Sequence, residues 1–461
     1  MEQTSIKPYH LFNYEERTYL INTEEMTAAI IDETVARALE KIRMQPTPML
    51  GHGIAEELKK LGLLSDGKEK TPAVKKEYLI VNLCLFLTQS CNLNCVYCYG
   101  DAGAYGAGGN MDEKTAYQGV DWLIEQSGKR KQIYVGFFGG EPFLMFSLMK
   151  AIVQYARKRV AEAGKIVSFY ATSNGTLFDD EVINFIKEEE ISIIVSFDGP
   201  REIQDAQRPY ANGDGSYDAI APKIKKLLAV VPKTPSHAVI VGDTDPKLVE
   251  DALLEIGFTE FSLVPASHSL FTDNLIRTEQ TRDTLQFIQE LEKQVKIWLD
   301  SIRRRDVLAL KRLASKRDLY QAMLSLLHNI KKQHACGAGL GMIAVSSVGD
   351  VYLCHRFVGQ DDYKLGSIFE GQLNRKKYQE NSTINNPLCS VCFAKYYCAG
   401  GCKHDNAGSC GSIAAPAEEM CRLRCRKLEL AAIIVSNITS QDKAFLIEQD
   451  VFPPKPCPLD F

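Results

Sequence analysis

The stretch CNLNCVYC, residues 91–98, places Cys91, Cys95 and Cys98 in a Cys-x3-Cys-x2-Cys pattern with no fourth cysteine in the loop. A structural zinc site closes its shell with four ligands. Three thiolates suit a different object, a cubic 4Fe–4S cluster, because iron–sulfur clusters take cysteine sulfur as their ligand. Protein then holds three corners, and the fourth iron is left for another ligand. What precedes the stretch agrees: YLIVNLCLFLT (78–88) is an apolar run of strand length. A loop just past a strand end can wrap a cube about its corners. Cys84 lies inside that run and reads as a small buried apolar residue.

Further apolar runs follow at intervals: QIYVGFFGG (132–140), VSFYATSNG (167–175), ISIIVSFDG (191–199), HAVIVG (237–242) and FSLVPAS (261–267). Stretches with helical spacing separate them, among them DEKTAYQGVDWLIEQ (112–126) and DPKLVEDALLEI (245–256). Repeated strand–helix units imply a parallel sheet, and six of them can curl into an open barrel. Active-site groups then belong at the carboxyl ends of the strands, the edge on which the three-cysteine loop lies. An α/β fold, a partial (β/α)6 barrel over residues 78–270, is expected.

Residues 1–72 read as a small separate module. HLFNYEERTYLIN (10–22) alternates like two short strands around a turn. EEMTAAIIDETVARALEKI (24–42) repeats apolar positions at helical spacing until PTPML (46–50), and GIAEELKKLGLL (53–64) predicts a shorter helix. The polar stretch SDGKEKTPAVKKE (65–77) reads as a linker. Residues 275–335 read as long helix bridging to the rest, within a segment bounded at 271–335. Between 301 and 335 nine Lys or Arg stand against two Asp, which reads as a solvated face or a surface for an acidic peptide.

The chain has 461 residues, a formal charge of −4 and 14 cysteines. The charge gives no reason to expect nucleic acid as partner. No charged-then-apolar leader opens the sequence and no apolar run of about 18 residues occurs, so a cytoplasmic protein without a membrane span is expected. There the cysteines read as reduced metal ligands. Residues 99–335 hold none, and ten fall between Cys336 and Cys457. A second metal-bearing region, 336–461, is therefore expected.

CNLNCVYC after a strand resembles the signature of the radical S-adenosylmethionine (SAM) superfamily. The resemblance implies that Cys91, Cys95 and Cys98 bind a 4Fe–4S cluster whose fourth iron is chelated by SAM. Gly139, Gly140 and Glu141 in FFGGEP resemble the family's GGE motif, which faces the SAM ammonium. Ser173 and Asn174 in TSNGT are polar contacts by the same comparison, and Ser196 and Asp198 in SFDGP would reach the ribose. Arg208 would pair with the SAM carboxylate, and Tyr97 would lie near the adenine.

The run CSVCFAKYYCAGGC (389–402), with Cys336, Gly349-x4-Cys354 and a later cysteine, closely resembles the SPASM extension. The resemblance implies two auxiliary 4Fe–4S clusters, three clusters in all. Cys389, Cys392, Cys398 and Cys421 would hold the outer one, and Cys336, Cys354 and Cys402 the inner one. Cys425 competes with Cys421, although MCRLRCRKLEL (420–430) fits better from Cys421. The inner set is one thiolate short. Cys410, Cys425 or Cys457 folds back, or an open iron takes a substrate thiolate, which is the favoured reading.

These resemblances imply an enzyme that modifies peptides. Residues 1–72 resemble the winged-helix-like module that grips a leader sequence by adding it to a sheet edge. CYGDAGAYGAGGNMD (98–112) is similar to maturases that join a cysteine sulfur to the β- or γ-carbon of an acceptor, Asp or Glu among them. The implied partners are a precursor peptide and an electron donor such as flavodoxin or ferredoxin. Alternatives within the family are an α-carbon thioether, a carbon–carbon cross-link and formylglycine formation as in anaerobic sulfatase maturases. Outside it stands a non-catalytic iron–sulfur or zinc scaffold that binds peptides.

Overall fold

The structure, a computed structural model, describes residues 6–44, 51–64, 78–106, 108–266, 270, 284–316 and 318–454, without the side chains of His52, Gln286 and Asp318. The linker 65–77, all of PTPML, Ser267, the stretch 275–283 and Cys457 lie outside the described residues.

Among the described residues, twelve strands fall into two sheets. In chain order they are β1 (Tyr9–Tyr14), β2 (Arg17–Asn22), β3 (Thr27–Ile31), β4 (Asn82–Thr88), β5 (Gln132–Gly139), β6 (Ile166–Ser173), β7 (Ser192–Ser196), β8 (Ser236–Ile240), β9 (Phe261–Pro265), β10 (Met342–Val345), β11 (Asp350–Tyr352) and β12 (Lys364–Ser367). Strands β4 to β9 run parallel, each beside the next, with helices between them. The six sequence runs therefore become the six barrel strands. β4 reads apolar throughout because a parallel sheet covered on both faces buries both sets of side chains. Leu83, Leu85 and Leu87 join the helix-covered core with Val135, Phe137 and Phe169. Cys84 and Phe86 turn to the other face, into a smaller cluster with Tyr105 and Tyr352. Asp112, Asp179 and Asp245 start three of the covering helices by accepting from Thr115, Val182 and Lys247 amides, respectively.

The cysteine-rich region does not stand apart from this sheet. β10 pairs parallel with β4, and β11 and β12 follow antiparallel, giving nine strands in the order β12-β11-β10-β4-β5-β6-β7-β8-β9. The open edge of the barrel at β4 is thus covered by chain from beyond residue 340.

Two expectations need correction. The amino-terminal module has three antiparallel strands rather than two, and its first helix starts at Glu33 rather than near Glu24. Met26 takes a left-handed turn (φ 49°) and Thr27–Ile31 pairs along β2, so cross-strand pairing overrides the helical spacing. The bridge is three helices, Thr284–Arg304, Val307–Ser315 and Asp318–Leu327, not one through residue 335. Arg305 is left-handed (φ 56°), and the Asp306 side chain caps the next helix at Ala309. A side chain that offers the backbone a cap competes with helix continuation.

β2 explains how the module sits. Leu20 faces its own core of Val35, Leu39, Ile42 and Leu58, whereas Tyr19 and Ile21 belong to the main core. The two faces of one strand thus fasten module to body, chiefly against the helix Glu418–Ser436. His10 stacks on Phe393 at 3.6 Å between centroids and meets Glu429 at 2.8 Å. Glu24 pairs with Lys395 at 2.8 Å.

Candidate active site

The three-cysteine loop leaves β4 and is pressed against the end of β5. A Cβ on Gly140 would lie 2.0 Å from the Ser90 carbonyl oxygen, so only glycine lets these two segments pass. Gly103, at φ 90°, closes the loop's far side, where a Cβ would stand 2.7 Å from Cys91 Cβ. Burial pushes the Cys91 thiol up to about 11 and the Cys95 thiol up to about 12, and neighbouring thiols add to both shifts. Donors converge on these sulfurs: the Leu93 amide at 3.5 Å and Asn174 Nδ2 at 3.8 Å on Cys91, and Arg208 at 3.9 Å on Cys95. Buried sulfurs that accept N–H groups and lack a fourth partner fit a cluster, which needs them as thiolates and is tuned by such donors.

Glu141 is engaged by the protein itself. Its carboxylate is fully buried and accepts from the Phe143 amide (3.1 Å), Ser173 Oγ (2.9 Å) and the Asn174 amide (2.7 Å). It ties the ends of β5 and β6 together. Burial nevertheless wins over these bonds and pushes the carboxyl up to about 7. Asn174 in turn donates to Asn92 Oδ1 at 2.9 Å, bracing the cysteine loop from below.

Asp198 is likewise turned inward and is 0% exposed. Arg208 donates to both its oxygens (2.9 and 3.2 Å), the Val239 amide donates at 2.9 Å, and Tyr97 donates its hydroxyl. The Arg208 guanidinium also lies over the Tyr97 ring at 5.1 Å. Burial opposes the charge on Arg208, but Asp198, Tyr97 and Cys95 outweigh it and raise its pKa. Glu141 and Asp198 thus spend their oxygens on neighbouring protein groups, and neither lines the adjoining cavity. Tyr97, Gly139, Gly140, Ser173, Asn174, Ser196 and Arg208 do face one cavity.

That cavity, about 1160 Å³, opens on all three loop cysteines and runs to Cys410 and Glu418 at the start of the last long helix segment. Single small-ligand sites hold about 300–1,000 Å³, so there is room for a cofactor and part of a peptide. Its wall also carries His237, His355, Arg356 and Asp405, which the sequence patterns did not single out. His355 and Arg356 directly follow Cys354, and that adjacency was the available signal. Burial lowers His237 to about 4, helped by Arg208 and Arg356, so its imidazole is neutral. His404 is fully buried, with Nδ1 3.9 Å from Asp405 Oδ1 and no hydrogen-bond partner on Nε2 among the described residues.

The later cysteines gather in two groups. Cys354 faces Cys402 and Cys336, and burial pushes its thiol up to about 12. Cys389, Cys392, Cys398, Cys421 and Cys425 lie within electrostatic reach of one another. Cys421 and Cys425 share one helix face, and Cys425 Sγ is 3.9 Å from Cys392 Sγ. Five thiols thus gather where four are expected to serve. Cys410 ends the helix Lys403–Cys410 and is exposed. Among the described residues no three His, Cys, Asp or Glu side chains close around a single ion; a cube holds its thiolates farther apart than one ion does. No described helix is long and apolar enough to cross a membrane.

Parallel strands with three cysteines at the first strand's carboxyl end and polar groups at the next ends define a class. Residues 85–256 match the model of the radical SAM superfamily, so that stretch of the chain is a radical SAM domain. Among curated relatives, an uncharacterised protein of Methanocaldococcus jannaschii is 37% identical over 135 residues, which span 29% of this chain and 44% of that protein. The cysteine-type anaerobic sulfatase-maturating enzyme of Clostridium novyi is 25% identical over 344 residues, 69% of this chain and 86% of that enzyme. The solved structure of native anSMEcpe with bound AdoMet and Cp18Cys peptide superposes with a TM-score of 0.62 at 19% identity, covering 78% of this chain and 99% of the other. At that identity the likeness concerns the fold.

Proposed function

We propose that this enzyme is a peptide maturase that joins a cysteine sulfur of a ribosomally made precursor to a side-chain carbon, β or γ, of an acceptor residue. The observation that carries the reading is the shared cavity, which reaches from Cys91, Cys95 and Cys98 to the residues bordering Cys354 and Cys402. Bound at the first set, a 4Fe–4S cluster with SAM supplies an adenosyl radical that can abstract hydrogen from an unactivated C–H bond. The chain's own groups do the positioning. Arg208, held by Asp198 and Tyr97, stands at the mouth of the first set as a fixed cation for a carboxylate. Cys336, Cys354 and Cys402 offer three thiols for an inner cluster and leave its fourth position to the substrate thiolate, so no separate base is required. Cys389, Cys392, Cys398 and Cys421 form the outer set, toward an electron carrier such as flavodoxin or ferredoxin.

In balance, each bond costs the peptide two hydrogens. One leaves as an atom to the adenosyl group; the other leaves as the thiol proton, with one electron passed to the carrier. The leader of the precursor docks on the three-stranded sheet, where β1 and β3 each lack a strand neighbour on one side among the described residues.

A second reading, formylglycine formation, is favoured by the resemblance to the sulfatase-maturating enzyme over 86% of that protein. Because Tyr19, Ile21 and Met26 of the module belong to the main core, removing residues 1–72 would damage the body and cannot separate the two. Precursor with and without its leader does. Under the first reading full-length precursor loses two hydrogens per bond and resists thiol alkylation, and the leaderless core reacts poorly. Equal turnover of a leaderless cysteine peptide to an aldehyde, trapped with a hydrazide, overturns it.

A further inference from the structure

Arg356 is half-buried, and it touches both halves of the site. Its guanidinium donates to Cys402 Sγ at 3.4 Å and to Asp405 Oδ1 at 2.7 Å. Its backbone amide donates to the Cys354 sulfur. The guanidinium carbon lies 4.8 Å over the ring of Tyr99, the residue next to Cys98. The His404 ring meets the same tyrosine edge-on at 5.6 Å. One residue therefore reaches two of the three inner cysteines and the loop that holds the first set.

We propose that Arg356 is a positioning residue that locks the first cysteine loop to the inner site and makes an inner cluster easier to reduce. The inference rests on reading Cys336, Cys354 and Cys402 as the ligands of that cluster. Two physical effects give the direction. N–H donors to cluster sulfur and nearby charge set the potential of iron–sulfur centres. A cation near the sulfurs stabilises the more negative, reduced state. Cation–π contact with the half-buried Tyr99 also gains from the partial loss of water around it, so separation between the two sites is fixed by a direct contact rather than by a long loop.

The test is an EPR-monitored redox titration of the full chain, reconstituted anaerobically, with iron and sulfide counted in each sample. Cys354→Ala first identifies the inner signal; if it removes neither iron nor signal, there is no inner cluster, and the underlying reading fails rather than the role of Arg356. Arg356→Gln should keep its iron and lower the inner midpoint. At fixed potential the oxidised-to-reduced ratio should rise about tenfold, a shift of about 59 mV for one electron. Asp405→Asn, which removes the negative partner, should move the midpoint the other way. Should Arg356→Gln shed iron, the Asp405→Asn shift carries the test alone. An unchanged midpoint in an iron-replete Arg356→Gln, or in Asp405→Asn, overturns the proposal.

Discussion

Replacing Glu141 by Gln should change how the protein's stability depends on pH. Burial pushes this carboxyl from an ordinary value of 4.5 up to about 7. A carboxyl raised on folding contributes stability that is complete below its unfolded value and is lost as pH rises through its folded value. At ~1.4 kcal/mol per pH unit, the gap amounts to about 3 kcal/mol between roughly pH 4.5 and pH 7. Gln carries no such term, but its amide nitrogen cannot accept the Asn174 amide now bound at 2.7 Å. One buried N–H is left unpaired, at a cost of about 1–3 kcal/mol. The variant should therefore be weaker than the parent at about pH 5 and close to it, or stronger, near pH 8. Urea unfolding of cluster-loaded protein under anaerobic conditions at both pH values reads the difference. A gap between parent and variant that stays constant from about pH 5 to 8 would refute the raised carboxyl.

Three further substitutions probe the site. Gly140→Ala, with its Cβ 2.0 Å from the Ser90 oxygen, should displace the first cysteine loop and lower iron content by one cluster's worth while the later cysteines stay loaded. Asp198→Asn breaks a pair whose side chains are 0% and 7% exposed; stability should fall by about 3 kcal/mol, the low end for a buried pair, and SAM binding by equilibrium dialysis should weaken with it. Adding Arg208→Met should restore much of that stability. Cys421→Ser should cost the outer cluster's iron, whereas Cys425→Ser should leave it, and the opposite result would transfer the ligand role to Cys425.

The parts of the fold visible in the sequence were those set by local patterning. Each of the six barrel strands is an apolar run, and Asp112 and Asp245 announce the helices they cap. What lay beyond local patterning depends on partners distant in the chain. Thr27–Ile31 has helical spacing and becomes strand because β2 is beside it. The β10–β12 extension reads as nothing in particular until β4 supplies an edge. At the site, residue types at strand ends were legible, but their direction was not. Glu141 and Asp198 occupy motif positions and spend their oxygens on neighbouring amides, on Ser173 and Tyr97 hydroxyls and on Arg208. Arg356 escaped notice because no spacing relates it to Tyr99.

The claim on which the rest stands is that Cys91, Cys95 and Cys98 hold a cluster with one iron free for SAM. Reduced, anaerobically reconstituted enzyme should change its EPR signal when SAM is added and should release 5′-deoxyadenosine, and Cys95→Ala should abolish both. A first site filled by zinc, or by a fourth side chain, with no 5′-deoxyadenosine formed, would contradict the account.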